Sequence, residues 1–166
     1  MEPQLTDTQR ALLWEELIGA DARSNYFAEL AGSYLRRQQV ATWSVLFFSS
    51  GAVLAVVISA APTWLRLLPP ILAAAVSLYS LIAENTARSV ECSELHFRWN
   101  RHATACLRLW SGMYEKGASE GLYGLMEKAA EISKTSLKGA KVDRRRLAHW
   151  QDHAVAQRRA VLGTAA

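Results

Sequence analysis

Charged and apolar positions fall in separate blocks along this chain. Gln38 to Leu65 is 28 consecutive residues without a charge, Arg66 stands alone, and 17 more uncharged residues run from Leu67 to Ala83. A helix needs about 20 apolar residues to cross a hydrocarbon core of about 30 Å, and Val40 to Ala61 meets that need directly. The second run, about 25 Å long as a helix, is near the lower limit and suits a thin or locally adapted bilayer. Pro62 to Arg66 reads as a tight turn, with Pro62 ending the first helix. Pro69 and Pro70 then fall in the first turn of the second helix, where a missing N–H costs least. The pattern predicts a transmembrane helical hairpin over residues 40–83. Trp43 and Trp64 are 21 positions apart, about 31 Å along a helix, and with Arg36, Arg37 and Arg66 they read as interfacial anchors.

A buried hairpin in a soluble protein is the alternative. The rest of the chain carries too few apolar residues to wrap two helices that are hydrophobic all round. Outside the hairpin the apolar positions recur at helical spacing. In residues 1–39, Thr6 or Asp7 can cap a helix containing Leu12, Leu13, Leu17 and Ile18, and a second stretch from Asp21 carries Tyr26, Phe27, Leu30 and Tyr34. In residues 84–166, Leu95, Trp99, Cys106, Leu109, Trp110 and Met113 form one stripe, so the second span is expected to run on as a long helix. Leu122, Leu125, Met126, Ala129 and Ile132 form another, and Leu147, Trp150, Ala154 and Val161 a third behind an Asp143 cap. No segment alternates as a strand does. The expected fold is all-α, a two-helix membrane hairpin joined to a cytoplasmic helical bundle.

Composition by itself hides this organisation. Over 166 residues the chain is 51% hydrophobic and 20% charged, with net charge +4, values that exclude a disordered chain. Two cysteines, Cys92 and Cys106, exclude a disulfide-stapled scaffold. Charge becomes informative by position. Residues 1–39 have four basic and six acidic side chains, and residues 84–166 have fourteen and nine. Arg23, Arg36 and Arg37 precede the first span, Arg88, Arg98 and Arg101 follow the second, and the turn has only Arg66. The positive-inside rule then puts both termini of a multi-pass membrane protein in the cytoplasm. The acidic, polar segment before the first span does not resemble a cleavable leader.

Chemical constellations are sparse. Cys92 and His96, and His102 and Cys106, are each four apart, a spacing that can offer two ligands to one metal. The pairs sit about 15 Å apart on one helix, so one chain cannot close a four-ligand site, and His102 on an apolar stripe reads first as a core histidine. His149 and His153 have no third ligand near them in sequence. Gly112 to Ser119 has the glycine spacing of a phosphate loop, but Ala118 stands where its lysine should be, so an interhelical turn is expected. No dinucleotide fingerprint, nucleophile elbow or carboxylate pair is visible, and neither an enzyme, a cofactor nor a metal is expected. Arg144, Arg145, Arg146, Arg158 and Arg159 can hold lipid headgroups or another phosphate-bearing ligand, although a solvated face explains such runs as well. Nucleic acid is not an expected partner, because the excess charge is modest and no reading module is present.

The spans carry small and polar stripes. On the first, Gly51, Ala55 and Ser59 recur every four residues and permit close helix packing. On the second, Ala73, Ser77, Ser80 and Glu84 fall within about 60° of one another. That face either packs against another helix or lines a pore, and a pore needs several copies because one hairpin has only two helices.

A lead-in with Arg23, Tyr26, Phe27 and Arg36-Arg37, an immediate two-span hairpin from Val40 to Ala83 and a long helical tail together resemble the SLATT family of prokaryotic two-transmembrane effectors. The resemblance implies a homo-oligomer that forms pores in, or otherwise perturbs, the bilayer in a bacterial antiphage or conflict system. It also implies a partner enzyme that makes a nucleotide second messenger. It carries no catalytic residues. The competing expectation is a non-conducting membrane anchor or scaffold whose cytoplasmic helices bind a partner protein.

Overall fold

The computed structural model describes residues 5–57, 62–136 and 142–163. Five helices follow in order: α1 (Asp7–Val57), α2 (Thr63–Ala83), α3 (Asn85–Ser111), α4 (Ala118–Ser136) and α5 (Arg144–Gly163). No strand occurs among the described residues, in keeping with the all-α expectation.

The helix starts use local chemistry. Thr6 caps α1 reciprocally: the Gln9 N–H donates to Thr6 Oγ1 at 3.3 Å, and the Thr6 N–H donates to Gln9 Oε1 at 2.9 Å, which satisfies two otherwise orphaned donors. Asp143 caps α5, its Oδ1 accepting from the Arg145 N–H at 3.0 Å and the Arg146 N–H at 3.4 Å.

Three boundaries differ from those the pattern suggests. The lead-in is not two stretches, because α1 is a single helix of 51 residues. Asp21, which looks like a start signal, instead spends its carboxylate on Arg158. Helix α2 begins directly after Pro62, whose extended backbone (φ −60°, ψ 147°) forms the N-cap. Trp64 therefore lies in α2 and not in a turn, the one-helix spacing to Trp43 does not apply, and Pro69 and Pro70 sit inside the helix. Each proline removes one i→i−4 bond, leaving the Leu65 and Arg66 carbonyls without that intrahelical donor. The second span does not run on unbroken either. Glu84 adopts a left-handed conformation, φ 48°, and interrupts the helix for one residue before α3.

The chain packs as two compact units, one formed by Met1–Glu29 and Cys92–Ala166 and the other by Leu30–Glu91. The first is a helical bundle in which α3, α4 and α5 join the start of α1. Leu13, Leu17, Trp99, Cys106 and Leu122 are its innermost side chains. Ile18 and Ala22 of α1 meet Ala154 of α5 beneath Trp14, Leu147 and Trp150, and Trp14 reaches Trp110 of α3 with ring centroids 5.4 Å apart. Of the expected stripes, Leu122, Leu125 and Ala129 are buried, whereas Met126 and Val161 are exposed. The second unit pairs the remainder of α1 with α2 and the first residues of α3.

Residues 112–117 form the turn between α3 and α4, with the Glu115 N–H donating to the Gly112 carbonyl at 2.9 Å. Gly117 has φ 83° with open space where a Cβ would stand, and Gly124, inside α4, also has open space. Only the first has a backbone that resists a side chain. We expect Gly117→Ala to destabilise the bundle by about 1 kcal/mol and Gly124→Ala to stabilise it by about 0.5 kcal/mol. Denaturant midpoints of the two variants should move in opposite directions.

Candidate functional site

The hairpin unit turns apolar side chains outward. Trp43 (70%) and Phe47 (74%) on α1 and Leu81 (76%) and Ile82 on α2 are largely exposed, as are Ile71, Leu78 and Val40. Trp64 is exposed as well. The helical stretch Leu67–Ser111 is long and apolar enough to cross a membrane, and none of its apolar window is buried within the chain. The first apolar run passes out of the described residues at 58–61.

Hydroxyl groups behave differently from the apolar side chains. Ala73, Ser77 and Ser80 are half-buried. Ser77 and Ser80 border a cavity of about 370 Å³ together with Ala41, Thr42, Val45 and Leu46 of α1. Ser80 Oγ donates to Gln38 Oε1 at 3.1 Å. Thr42 and Ser50 donate back to carbonyls one turn earlier, at 3.0 and 2.9 Å, so their polar atoms are satisfied within the helix. Ser80, on the small, polar face of α2, thus bonds α1 in the same chain. Glu84, placed at one end of that face by spacing, is exposed at the helix break. Ser89 Oγ donates to the Ala31 carbonyl at 3.0 Å, and Asn85 is buried. Gly51 and Ala55 lie in the helical part of α1, but their side-chain surroundings, like Ser59 and the side chain of Arg66, are outside the described residues. Arg36 and Arg37 are exposed, with the Arg37 guanidinium 5.8 Å from the centre of the Tyr34 ring.

In the bundle, the five clustered arginines divide. Arg158 makes a two-pronged pair with Asp21, with its second contact at 3.0 Å, and the hydrogen bond to Asp21 raises its pKa further. Arg146 pairs with Asp143 at 3.4 Å and Glu29 at 3.6 Å. Arg144, Arg145 and Arg159 remain exposed. Two of the five are therefore structural, because their charge is spent joining α5 to α1 or closing its first turn.

The histidines also have internal partners. His102 is 4% exposed, its Nε2 3.0 Å from Glu16 Oε1 and 3.6 Å from Cys106 Sγ. The hydrogen bond from His102 holds the Glu16 carboxyl below its ordinary value of 4.5 against the opposing effect of burial, and the charges of His102 and Arg23 add to it. Burial, with the Glu16 and Asp21 carboxylates adding to it, pushes the Cys106 thiol up to about 12, so it is a neutral core side chain at pH 7 and a poor nucleophile. His96 Nδ1 donates to the Ser24 carbonyl at 2.9 Å. His149 and His153 flank Trp150 edge-on, while Trp150 Nε1 donates to Glu29 at 2.8 Å. Among the described residues no group of three or more possible metal ligands forms.

Sequence reasoning did not single out Gln38, Glu16 or Ser24, the partners of Ser80, His102 and His96. Gln38 had one available signal, an uncharged polar side chain at the threshold of an apolar run. No family model, curated protein or solved structure matches the chain.

Because Glu16 is held below its ordinary pKa, the unfolded carboxyl protonates first as the pH falls. The stability this group supplies is therefore full above about pH 4.5 and is lost as pH drops through the lower folded value. Glu16→Gln should lower thermal stability at pH 7 and flatten the decline between pH 5 and pH 3. A decline as steep as that of the wild type would remove Glu16 from the acid response.

Proposed function

We propose that the protein is a two-span protein of the bacterial cytoplasmic membrane, with both termini inside, and that copies assembled through the cytoplasmic bundle perturb the bilayer. The observation that carries this reading is the uncovered apolar surface of the hairpin, centred on Trp43, Phe47, Ile71, Leu78, Leu81 and Ile82. Fully burying such a side chain is worth about 1.5–3 kcal/mol relative to leaving it in water, and a bilayer supplies that cover. Hydroxyls turned inward or bonded to their own helix fit the same medium, since an unmet polar group in lipid costs several kcal/mol. Contacts between hairpins in lipid are individually weak, so control of assembly falls to the bundle, where water supplies the driving force. The two-span layout and its similarity to the SLATT family support an antiphage or conflict role, with a nucleotide second messenger from a partner synthase as the trigger.

The second reading is a non-conducting anchor or scaffold whose bundle binds a partner protein. One observation favours it: Ser77 and Ser80 border a cavity turned toward α1, and Ser80 is bonded to Gln38. For a conduit lined by this face, α1 and α2 must separate or share it with a neighbouring copy.

Dye release from reconstituted vesicles distinguishes the two readings. The effector reading expects release that rises steeply with protein-to-lipid ratio, and expects Ser77→Trp to return it to the protein-free level while the copy number in detergent is unchanged. Absence of release from the wild type at every ratio, with or without added cyclic nucleotides or oligonucleotides, overturns conduction and leaves the anchor.

A further inference from the structure

We propose that the groove between α1 and α2 headed by Arg36 and Arg37 is a binding site for an anionic phospholipid, with the headgroup phosphate on the two guanidinium groups and an acyl chain along the groove. The inference rests on the membrane reading above and adds to it a ligand and a site.

The groove has a volume of about 420 Å³. Its walls change character along the helix axis. Arg36 and Arg37 stand at one end, Val40 follows one turn later and Ser44 a further turn on, and Val76 and Tyr79 of α2 form the opposite wall. From Arg36 to Ser44 the helix advances about 12 Å, so a charged opening passes directly into an apolar trough. This is the shape of an amphiphile with an anionic head. A soluble phosphate ester would leave the trough empty, and an uncharged lipid would leave the arginines unmatched.

The two cations are available. The ion pairs among the described residues engage Arg10, Arg98, His102, Arg146 and Arg158, and none engages Arg36 or Arg37. Arg37 lies over the Tyr34 ring, which limits its motion without consuming its hydrogen-bond donors. Guanidinium groups pair bidentately with phosphate oxygens, and a position just outside the apolar run is the depth at which headgroup phosphates lie. Ser44 and Tyr79 also line the groove. Arg144, Arg145 and Arg159 of α5 are exposed. They present charge alone, and they serve as an internal control.

The test uses the full chain in non-ionic detergent, with phosphatidylglycerol and phosphatidylcholine offered in competition and bound lipid counted by native mass spectrometry. Each arginine near an anionic lipid is worth about fivefold in affinity. Phosphatidylglycerol should therefore be retained in clear preference, Arg36→Gln or Arg37→Gln should each lower retention about fivefold, and the double variant about 25-fold. Val76→Phe, which fills the trough and leaves the charge unaltered, should also abolish retention. Arg144→Gln with Arg145→Gln should not change it. Equal retention of both lipids, full retention by Val76→Phe, or displacement by soluble glycerol 3-phosphate would each overturn the assignment, the last by showing a headgroup-only site. Protease protection of residues 40–83 in vesicles separates the two levels of the argument. Protection without lipid preference refutes the groove alone, and lack of protection refutes the membrane reading together with it.

Discussion

About the first six turns of α1, from Gln9 to Glu29, supply one partner to a series of contacts that define the bundle. Gln9 bonds Ser119 of α4, Glu16 bonds His102 and Ser24 bonds His96 of α3, Asp21 pairs with Arg158 of α5, and Glu29 accepts from Trp150. Tyr26 Oη accepts from the Asp143 N–H at the entrance to α5. Between these contacts lie Leu13, Leu17, Ala20 and Ala22, all essentially without exposure. Ala22 lets α5 approach through Ala154, and the polar groups on either side fix which turn faces which. A slip of one helical turn would leave Glu16, Asp21 and His102 desolvated without partners, a penalty of several kcal/mol for the charged groups. Burial of Leu and Trp drives the association, and the polar series selects its register.

The hairpin unit obeys the opposite economy. Ala41, Val45, Ser77 and Ser80 line a cavity between α1 and α2, Ser80 is bonded to Gln38, and Trp43, Phe47, Leu81 and Ile82 are uncovered. In water this arrangement would be an aggregation surface. In a bilayer it is the expected one, since lipid satisfies apolar side chains and satisfies no hydrogen bond. Helix α1 contributes residues to both units.

Interruptions in the helices lie within the units, and the boundaries between units fall inside α1 and α3. Pro69 and Pro70 lie inside α2, and Glu84 takes a left-handed conformation one residue before the buried Asn85. The turn at 112–117 relies on Gly117 in the same region of backbone space. A site reading of these segments from motif spacing would mislead: the phosphate-loop-like glycines close a helix connection, the cysteine–histidine spacings are packing registers, and two of the five clustered arginines are ion-pair partners.

Much of the architecture was legible from residue pattern. Helical class, the Thr6 and Asp143 caps, the core position of His102 and the apolar stripes of Leu95, Trp99 and Cys106 follow from periodicity and side-chain chemistry, which act over a few residues. The length of α1 was not legible, because Asp21 has the composition of a start signal and its role depends on Arg158, 137 positions away. Nor was the direction of the Ser77 and Ser80 face, since a helical period tells which residues share a side and not which neighbour that side meets. Residue pattern is enough to establish a helical protein with a long apolar, nearly charge-free middle. Only the tertiary structure decided which polar groups are spent on holding helices together and which, like Arg36 and Arg37 above their groove, are left to meet something else, because hydrogen bonds and ion pairs between distant residues depend on packing that no local pattern encodes.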